Sequence, residues 1–209
     1  MSYSLNEIEA LSKRATRGAG YPWGLAEDAA KATRWLCLQG FDGVDLLSHV
    51  LIARFADTIT AHSPKSNGDV WQANVPLCPL STGTQLSDYA AILRQHPVAI
   101  KNVAVPAFIL PFVANAAKAL NEVVSVRGAS WSAVSDGSVL NYSGTCPSHP
   151  DTLDIEIGGA VTSPQPQTMR AHPNGAALQT LQTLAQNTYA PATEASRRLG
   201  AGDQRSPNA

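Results

Sequence analysis

Residues 4–55 read SLNEIEALSKRATRGAGYPWGLAEDAAKATRWLCLQGFDGVDLLSHVLIARF, and this segment has the clearest start and stop signals for helices in the chain. Ser4 and Glu7 have the spacing of a capping box, in which the serine hydroxyl and the glutamate carboxylate accept from each other's backbone amides. The pattern predicts an amphipathic helix that begins at about Leu5 and stops at Gly18-Ala-Gly20.

Two more helices are predicted directly after the first. Pro22 suits the first position of a second helix, which carries Trp23 toward one side with several alanines and ends at Gly40. Asp42 can cap a third helix, whose buried face extends to Phe55. The N-terminal quarter is therefore predicted to be a three-helix segment.

The rest of the chain is mixed. Residues 61–84 hold several prolines and glycines, which predict mostly irregular chain with a short strand at 70–75. The further predicted helices are 88–94 after the cap Ser87, a buried helix starting near Pro111 and ending at Leu120, 176–185 and 191–198.

The predicted strands alternate in polarity or are rich in β-branched residues, and they cover 98–105, 123–126, 130–134, 139–142 and 153–157. Asp136-Gly137 predicts a two-residue hairpin turn between two of them. The fold class that follows is α+β, with the three-helix segment packed on a mainly antiparallel sheet and helices at the C-terminus. One face of that sheet should be wet, and a ligand could lie there.

Length and composition predict a single domain over 1–199 and a disordered tail over 200–209. The formal net charge is −1, and no stretch concentrates basic residues, so the sequence predicts no nucleic-acid partner and no anionic membrane surface. There is no run of about 20 apolar residues that would span a bilayer. The three cysteines lack the spacing of a zinc site or a disulfide framework, which favours a reduced, cytoplasmic protein.

Two clusters of polar and aromatic residues are candidate ligand sites. The first is Arg17, Tyr21, Trp23, Glu27 and Asp28, around the turn between the first two helices, where a guanidinium, an aromatic ring and a carboxylate would suit a small anionic or zwitterionic ligand. In the alternative interpretation, Trp23 belongs to the core and the ions pair on the surface.

The second cluster is Glu194, Ser196 and Arg197, on a short helix that follows a proline. Its alternative is a solvated terminal helix. The five histidines are scattered, and the sequence holds no phosphate-binding loop, no nucleophile elbow and no recognisable set of metal ligands. No cofactor follows from the residues.

Three motifs carry a family resemblance: SLNEIE at 4–9, RGAGYPWGLAE at 17–27, and ATEASR at 192–197 followed by Gly200-Ala-Gly202. They resemble a family of uncharacterised bacterial proteins of about this length, a domain of unknown function, and the resemblance extends over nearly the whole chain. The residues after the last glycines differ from the family pattern. This resemblance implies no activity.

A second resemblance would imply chemistry. The alanine-rich helix pair, Gly40, Gly43 and Ser48-His49 are similar to the N-terminal helices of the non-Rossmann malate/L-lactate dehydrogenase family, although Val50 replaces a glycine and this chain is much shorter. The resemblance implies that His49 acts as an acid or base, or binds the carboxylate of a 2-oxo acid. It also implies a nicotinamide cofactor.

Three classes of function remain open from the sequence. An enzyme would bind a small polar or carboxylate metabolite between the N-terminal helices and the sheet, with Arg17 orienting a carboxylate and Glu27 or His49 moving a proton. A non-catalytic accessory protein would use the same cleft without turnover. A homo-oligomer subunit would bury its apolar region at 107–120 against a second copy.

Overall fold

A computed structural model of the protein describes residues 1–189, apart from the side chains of Ser66 and Asn67. It has an α+β fold, as the sequence predicts. The α-helices of the described part are α1 (Leu5–Gly18), α2 (Trp23–Leu38), α3 (Gly43–Ile52), α4 (Pro79–Asp88), α5 (Leu110–Leu120) and α6 (Gly175–Gln186). Short 3-10 turns cover Phe55–Thr58, Ala90–Arg94 and Pro106–Ile109.

The strands form one large sheet and one small one. In chain order they are β1 (Tyr3–Ser4), β2 (Lys65–Asn67), β3 (Val70–Gln72), β4 (Val98–Val103), β5 (Val124–Arg127), β6 (Trp131–Ser135), β7 (Leu140–Gly144), β8 (Asp151–Ile157) and β9 (Arg170–Ala171). The large sheet has the order β2-β3-β4-β8-β5-β6-β7, and only its β3–β4 pair is parallel. The small sheet pairs β1 with β9.

The large sheet has one dry face and one wet face, as predicted. Val126 lies opposite Ile155 and Ala133 in neighbouring strands, and all three are buried. Arg127 and Asp154, paired across the same strands, are exposed on the other face. The period-2 alternation of strand side chains produces this division.

Helix α5 connects the sheet to the other helices. It packs on β5 and β6 and contacts α2 and α4 as well. Helices α1, α2, α3 and α6 pack on one another beyond it, with the closest association between α1 and α2. The buried side chains of the sheet and of the N-terminal helices therefore form one continuous core.

The predicted start signals of α1 and α3 are confirmed. The Ser4 hydroxyl accepts from the Glu7 amide at 3.2 Å, and Glu7 accepts from the Ser4 amide at 2.7 Å. Asp42 accepts from the Asp45 amide at 3.0 Å, so it caps α3. Pro22 is the N-cap of α2 and not its first helical residue, which is Trp23. Phe55 is buried as predicted, but it lies in the 3-10 turn after α3.

Two predicted elements are wrong in detail. The α-helix predicted at 88–94 is wrong, because α4 ends at Asp88 and the 3-10 turn Ala90–Arg94 follows it. Helix α4 itself begins inside the segment predicted to be irregular. Its Pro79 occupies the first turn, where proline is tolerated. The hairpin loop spans residues 136–139, since Ser135 pairs with Leu140. The Asp136 carboxylate accepts from the amides of Ser138 and Val139, and this side-chain turn replaces the tight two-residue turn.

Candidate functional site

The turn between α1 and α2 brings three predicted ligand residues together, but as a surface cluster. The Arg17 guanidinium donates to the Tyr21 carbonyl and lies over the Trp23 ring, with 4.6 Å between Cζ and the ring centroid. Lys13 Nζ lies 5.6 Å from the same centroid. Trp23 is 63% exposed, so it is neither a core residue nor part of an enclosed pocket.

The other residues of this cluster have structural partners. Tyr21 is fully buried, its hydroxyl lies 3.7 Å from Cys78 Sγ, and burial raises the pKa of its phenol. Glu27 pairs with Lys13 at 2.7 Å, a contact that lowers the pKa of the Glu27 carboxyl and weakens it as a base. Asp28 accepts from the Thr84 hydroxyl at 3.1 Å. Both Arg17 and Glu27 are therefore already engaged by neighbouring groups.

His49 lies in a different place, where the chain forms a cavity of about 350 Å³ between α3 and the end of β7. We call this space the α3–β7 cavity. Its walls come from three parts of the chain: Phe41, Asp42, Asp45, Leu46 and His49; Val105 and Ala107; and Tyr142, Gly144, Thr145, Cys146, Pro147 and Ser148. The cavity thus lies between the N-terminal helices and the sheet.

The helical wall of this cavity is set by local sequence. Asp45 and His49 are four residues apart on α3, so they share one face, and Nδ1 of His49 lies 3.9 Å from an Asp45 carboxylate oxygen. The His49 side chain is 55% exposed, which leaves it open to solvent and to a ligand. The Asp42 carboxylate is occupied by the Asp45 amide and, at 2.7 Å, by the Asn174 amide.

The opposite wall is built around Tyr142. Its ring meets Phe41 edge to face, with centroids 5.2 Å apart, and its hydroxyl accepts from the Cys146 amide at 2.8 Å. Burial raises the pKa of the Cys146 thiol to about 12, opposed by a hydrogen bond from the Ala107 backbone. Cys146 is therefore a neutral thiol at physiological pH and not an activated nucleophile.

Val105 adds backbone strain to the same cavity. It has φ 45° and ψ 60°, the left-handed region, which a β-branched residue rarely adopts. Pro106 follows it and restricts its conformation further. Val105 and Ala107 both line the cavity, so a strained residue lies on the wall of the candidate site.

Two other depressions are chemically less suited to catalysis. The groove between α1 and α2, of about 500 Å³, contains Lys13 and Glu27, which already pair with each other. A larger depression of about 660 Å³ lies between the ends of α1, α3 and α6. Its charged residues are Arg54 and Asp57, which form an ion pair of 2.9 Å.

Glu194, Ser196 and Arg197 lie outside the described residues, as do the predicted helix at 191–198 and the predicted tail. Within residues 1–189, no group of three or more His, Cys, Asp or Glu side chains is placed to hold a metal ion. No helix in the same part of the chain is both long enough and apolar enough to cross a membrane.

The sequence predicts His49 as a site residue but does not predict its neighbours in the cavity. The spacing of Asp42, Asp45 and His49 is a local signal for the helical wall alone. Tyr142 and Cys146 are about a hundred residues further along the chain, and only the tertiary fold brings them to α3.

Residues 3–91 match the model of a family described as a protein of unknown function, DUF3726. This finding confirms the predicted resemblance to a domain of unknown function over the part of the chain that runs from β1 through α4. The C-terminal motifs of the predicted resemblance lie beyond the matched residues. No curated protein matches the chain, so the dehydrogenase resemblance stays a prediction.

Proposed function

We propose that the protein binds a small polar metabolite in the α3–β7 cavity, and that His49 exchanges a proton with it. The observation that carries this proposal is the position of His49 on the wall of a cavity between the N-terminal helices and the sheet. Imidazole is the side chain best suited to proton transfer near neutral pH.

The chemistry of the walls supports a binding role. Aromatic and aliphatic side chains, among them Phe41, Leu46 and Tyr142, make up much of the lining, while Thr145 and Ser148 add hydroxyl groups. A volume of about 350 Å³ is near the lower end of the range for small-molecule sites. An apolar lining with a few polar groups is typical of such sites.

An accessory protein that binds the same ligand without turnover is the second candidate. The exposed Trp23 with its two cations favours it, because an exposed indole beside Lys13 and Arg17 suits a contact with another protein. The two candidate functions differ in the role of His49. In the enzyme His49 is needed for turnover, and in either protein it matters much less for ligand affinity.

The test is a ligand screen by NMR with ¹⁵N-labelled protein, using a library of small polar metabolites and two histidine variants. A ligand of the proposed kind should shift the amide signals of α3 and of residues 144–148 together. His49→Ala should alter the pattern of these shifts with little loss of affinity, whereas His172→Ala, which changes an exposed histidine outside the cavity, should leave the pattern unchanged.

Turnover of any bound compound, followed by mass spectrometry, would separate the two candidates. Loss of turnover in His49→Ala with retained binding supports the enzyme. If no library member shifts the signals of both walls, the proposed function is wrong.

A further inference from the structure

The charges around the α3–β7 cavity are unbalanced. Its described lining contains two carboxylates, Asp42 and Asp45, and neither lysine nor arginine. His49 is the single basic side chain among these lining residues. Such a distribution repels anions and attracts cations.

Only one of the two carboxylates is available to a ligand. Both oxygens of Asp42 accept backbone amides, those of Asp45 and Asn174. Within residues 1–189, no donor comes within hydrogen-bond distance of the Asp45 carboxylate, since Nδ1 of His49 is 3.9 Å away. A carboxylate without a protein donor at a cavity wall can accept from a charged group, and such a charge-assisted hydrogen bond is stronger than a neutral one.

The aromatic wall favours the same kind of ligand. Phe41 and Tyr142 meet edge to face at 5.2 Å and both line the cavity. Aromatic rings attract cations through their quadrupole, and they also pack against an apolar body. A carboxylate and aromatic rings around one small space are the groups that recognise an alkylammonium.

We infer that the ligand of the α3–β7 cavity is a small primary amine with an apolar body, whose ammonium pairs with Asp45. This inference rests on the proposed function, because it names the class of molecule bound at that site. It also replaces the carboxylate ligand that the sequence suggested, since a carboxylate would face Asp45 without a lysine or arginine among the lining residues to neutralise it.

The test compares three probes of similar size, benzylamine, benzyl alcohol and benzoate, titrated by NMR into the wild-type protein at about pH 8. At this pH benzylamine is protonated and carries the positive charge that the inference requires, whereas benzyl alcohol is neutral and benzoate is an anion. Benzylamine should bind most tightly, with an affinity roughly three- to tenfold above that of benzyl alcohol, and added salt should reduce the difference.

Two variants assign the preference to one carboxylate. Asp45→Asn should remove the advantage of benzylamine and leave the affinity for benzyl alcohol unchanged. Asp57→Asn, which neutralises a carboxylate paired with Arg54 outside the cavity, should leave both affinities as in the wild type.

The outcomes separate the two proposals. If benzyl alcohol or benzoate binds in the cavity as tightly as benzylamine, or if Asp45→Asn keeps the preference, the inference about the amine is wrong and the binding site stands. If none of the three probes shifts signals of either cavity wall, the inference about the amine is overturned, and the metabolite library decides the proposed function separately.

Discussion

Val105 is the residue at which backbone strain and the proposed site coincide. A left-handed conformation costs an L-residue roughly 1–2 kcal/mol, and the surrounding structure must supply that free energy. Two backbone hydrogen bonds fix the chain around Val105. The Ala104 amide donates to the Leu77 carbonyl at 3.0 Å, and the Phe108 amide donates to the Val105 carbonyl at 2.9 Å. These hydrogen bonds hold Val105 in place on the cavity wall.

The positive φ of Val105 predicts that its replacement by glycine destabilises the protein less than its replacement by alanine, the reverse of the usual order. Val105→Ala and Val105→Gly remove similar contacts, but glycine adopts a positive φ without penalty, so Val105→Gly should be the more stable by about 1 kcal/mol. Urea unfolding measures the difference. In β4, Val103 has no positive φ, and the same pair of substitutions there should show the usual order, with alanine more stable. Equal or greater stability of Val105→Ala would argue against strain at this position.

Among the helices and strands, the features that depend on nearby residues are the ones that the sequence predicts best. The Ser4–Glu7 capping box, the Asp42 cap and the start of α5 near Pro111 all follow from interactions within a few residues, and each is confirmed. The alternation along β8 also predicted its two faces correctly. Such features are predictable because their causes lie within one turn or one strand.

Helix α4 is not predicted from the sequence, because its packing depends on a residue far away in the chain. Gly83 lies within α4, a position that lowers intrinsic helix propensity. The structure shows the reason for a glycine there: a Cβ atom would come within 2.2 Å of the Phe112 ring, so the close packing of α4 on α5 requires its absence. No pattern inside residues 61–84 reveals this contact.

The residues of the candidate sites also fall into two groups. The proximity of some is predictable from the sequence, and the others are brought together only by the tertiary fold. Asp42, Asp45 and His49 belong to one cap and one helix, so their proximity was predictable. The sequence could not reveal that Arg17 engages Trp23 and the Tyr21 carbonyl, or that Lys13 pairs with Glu27 from the neighbouring helix. It could not place Tyr142 against Phe41 either, since that contact depends on how the large sheet meets the helices.

At the scale of the whole molecule, buried thiols couple stability to pH. Burial raises the pKa of Cys37 to about 11 and that of Cys146 to about 12, from 9.0 for an unperturbed thiol. Below about pH 9 the thiols are protonated in both states, and their contribution to stability is complete. Above it, the unfolded chain loses these protons first, so the free energy of unfolding falls as the pH rises toward the folded-state pKa values.

We therefore expect the melting temperature to decrease between about pH 8 and pH 10.5, by more in the wild type than in a Cys37→Ala/Cys146→Ala variant. The limiting contribution of Cys37 is about 1.4 kcal/mol for each pH unit above the unfolded pKa. Calorimetry at several pH values provides the comparison. Cys78 and Tyr21, whose pKa values are also raised by burial, should leave a residual decrease in the variant. Parallel curves for the two proteins would show that these thiols do not titrate on unfolding.

We propose the α3–β7 cavity as the ligand site in preference to the two larger depressions beside α1. Intermolecular nuclear Overhauser effects between benzylamine and the protein distinguish these three places. We predict contacts from the benzylamine ring to Leu46 and to the Tyr142 ring, both on the cavity walls. Contacts confined to Ala10 and Ala30 in the α1–α2 groove, or to Ile52 and Leu184 in the depression beside α6, would show that the ligand binds elsewhere and that the proposed site is wrong.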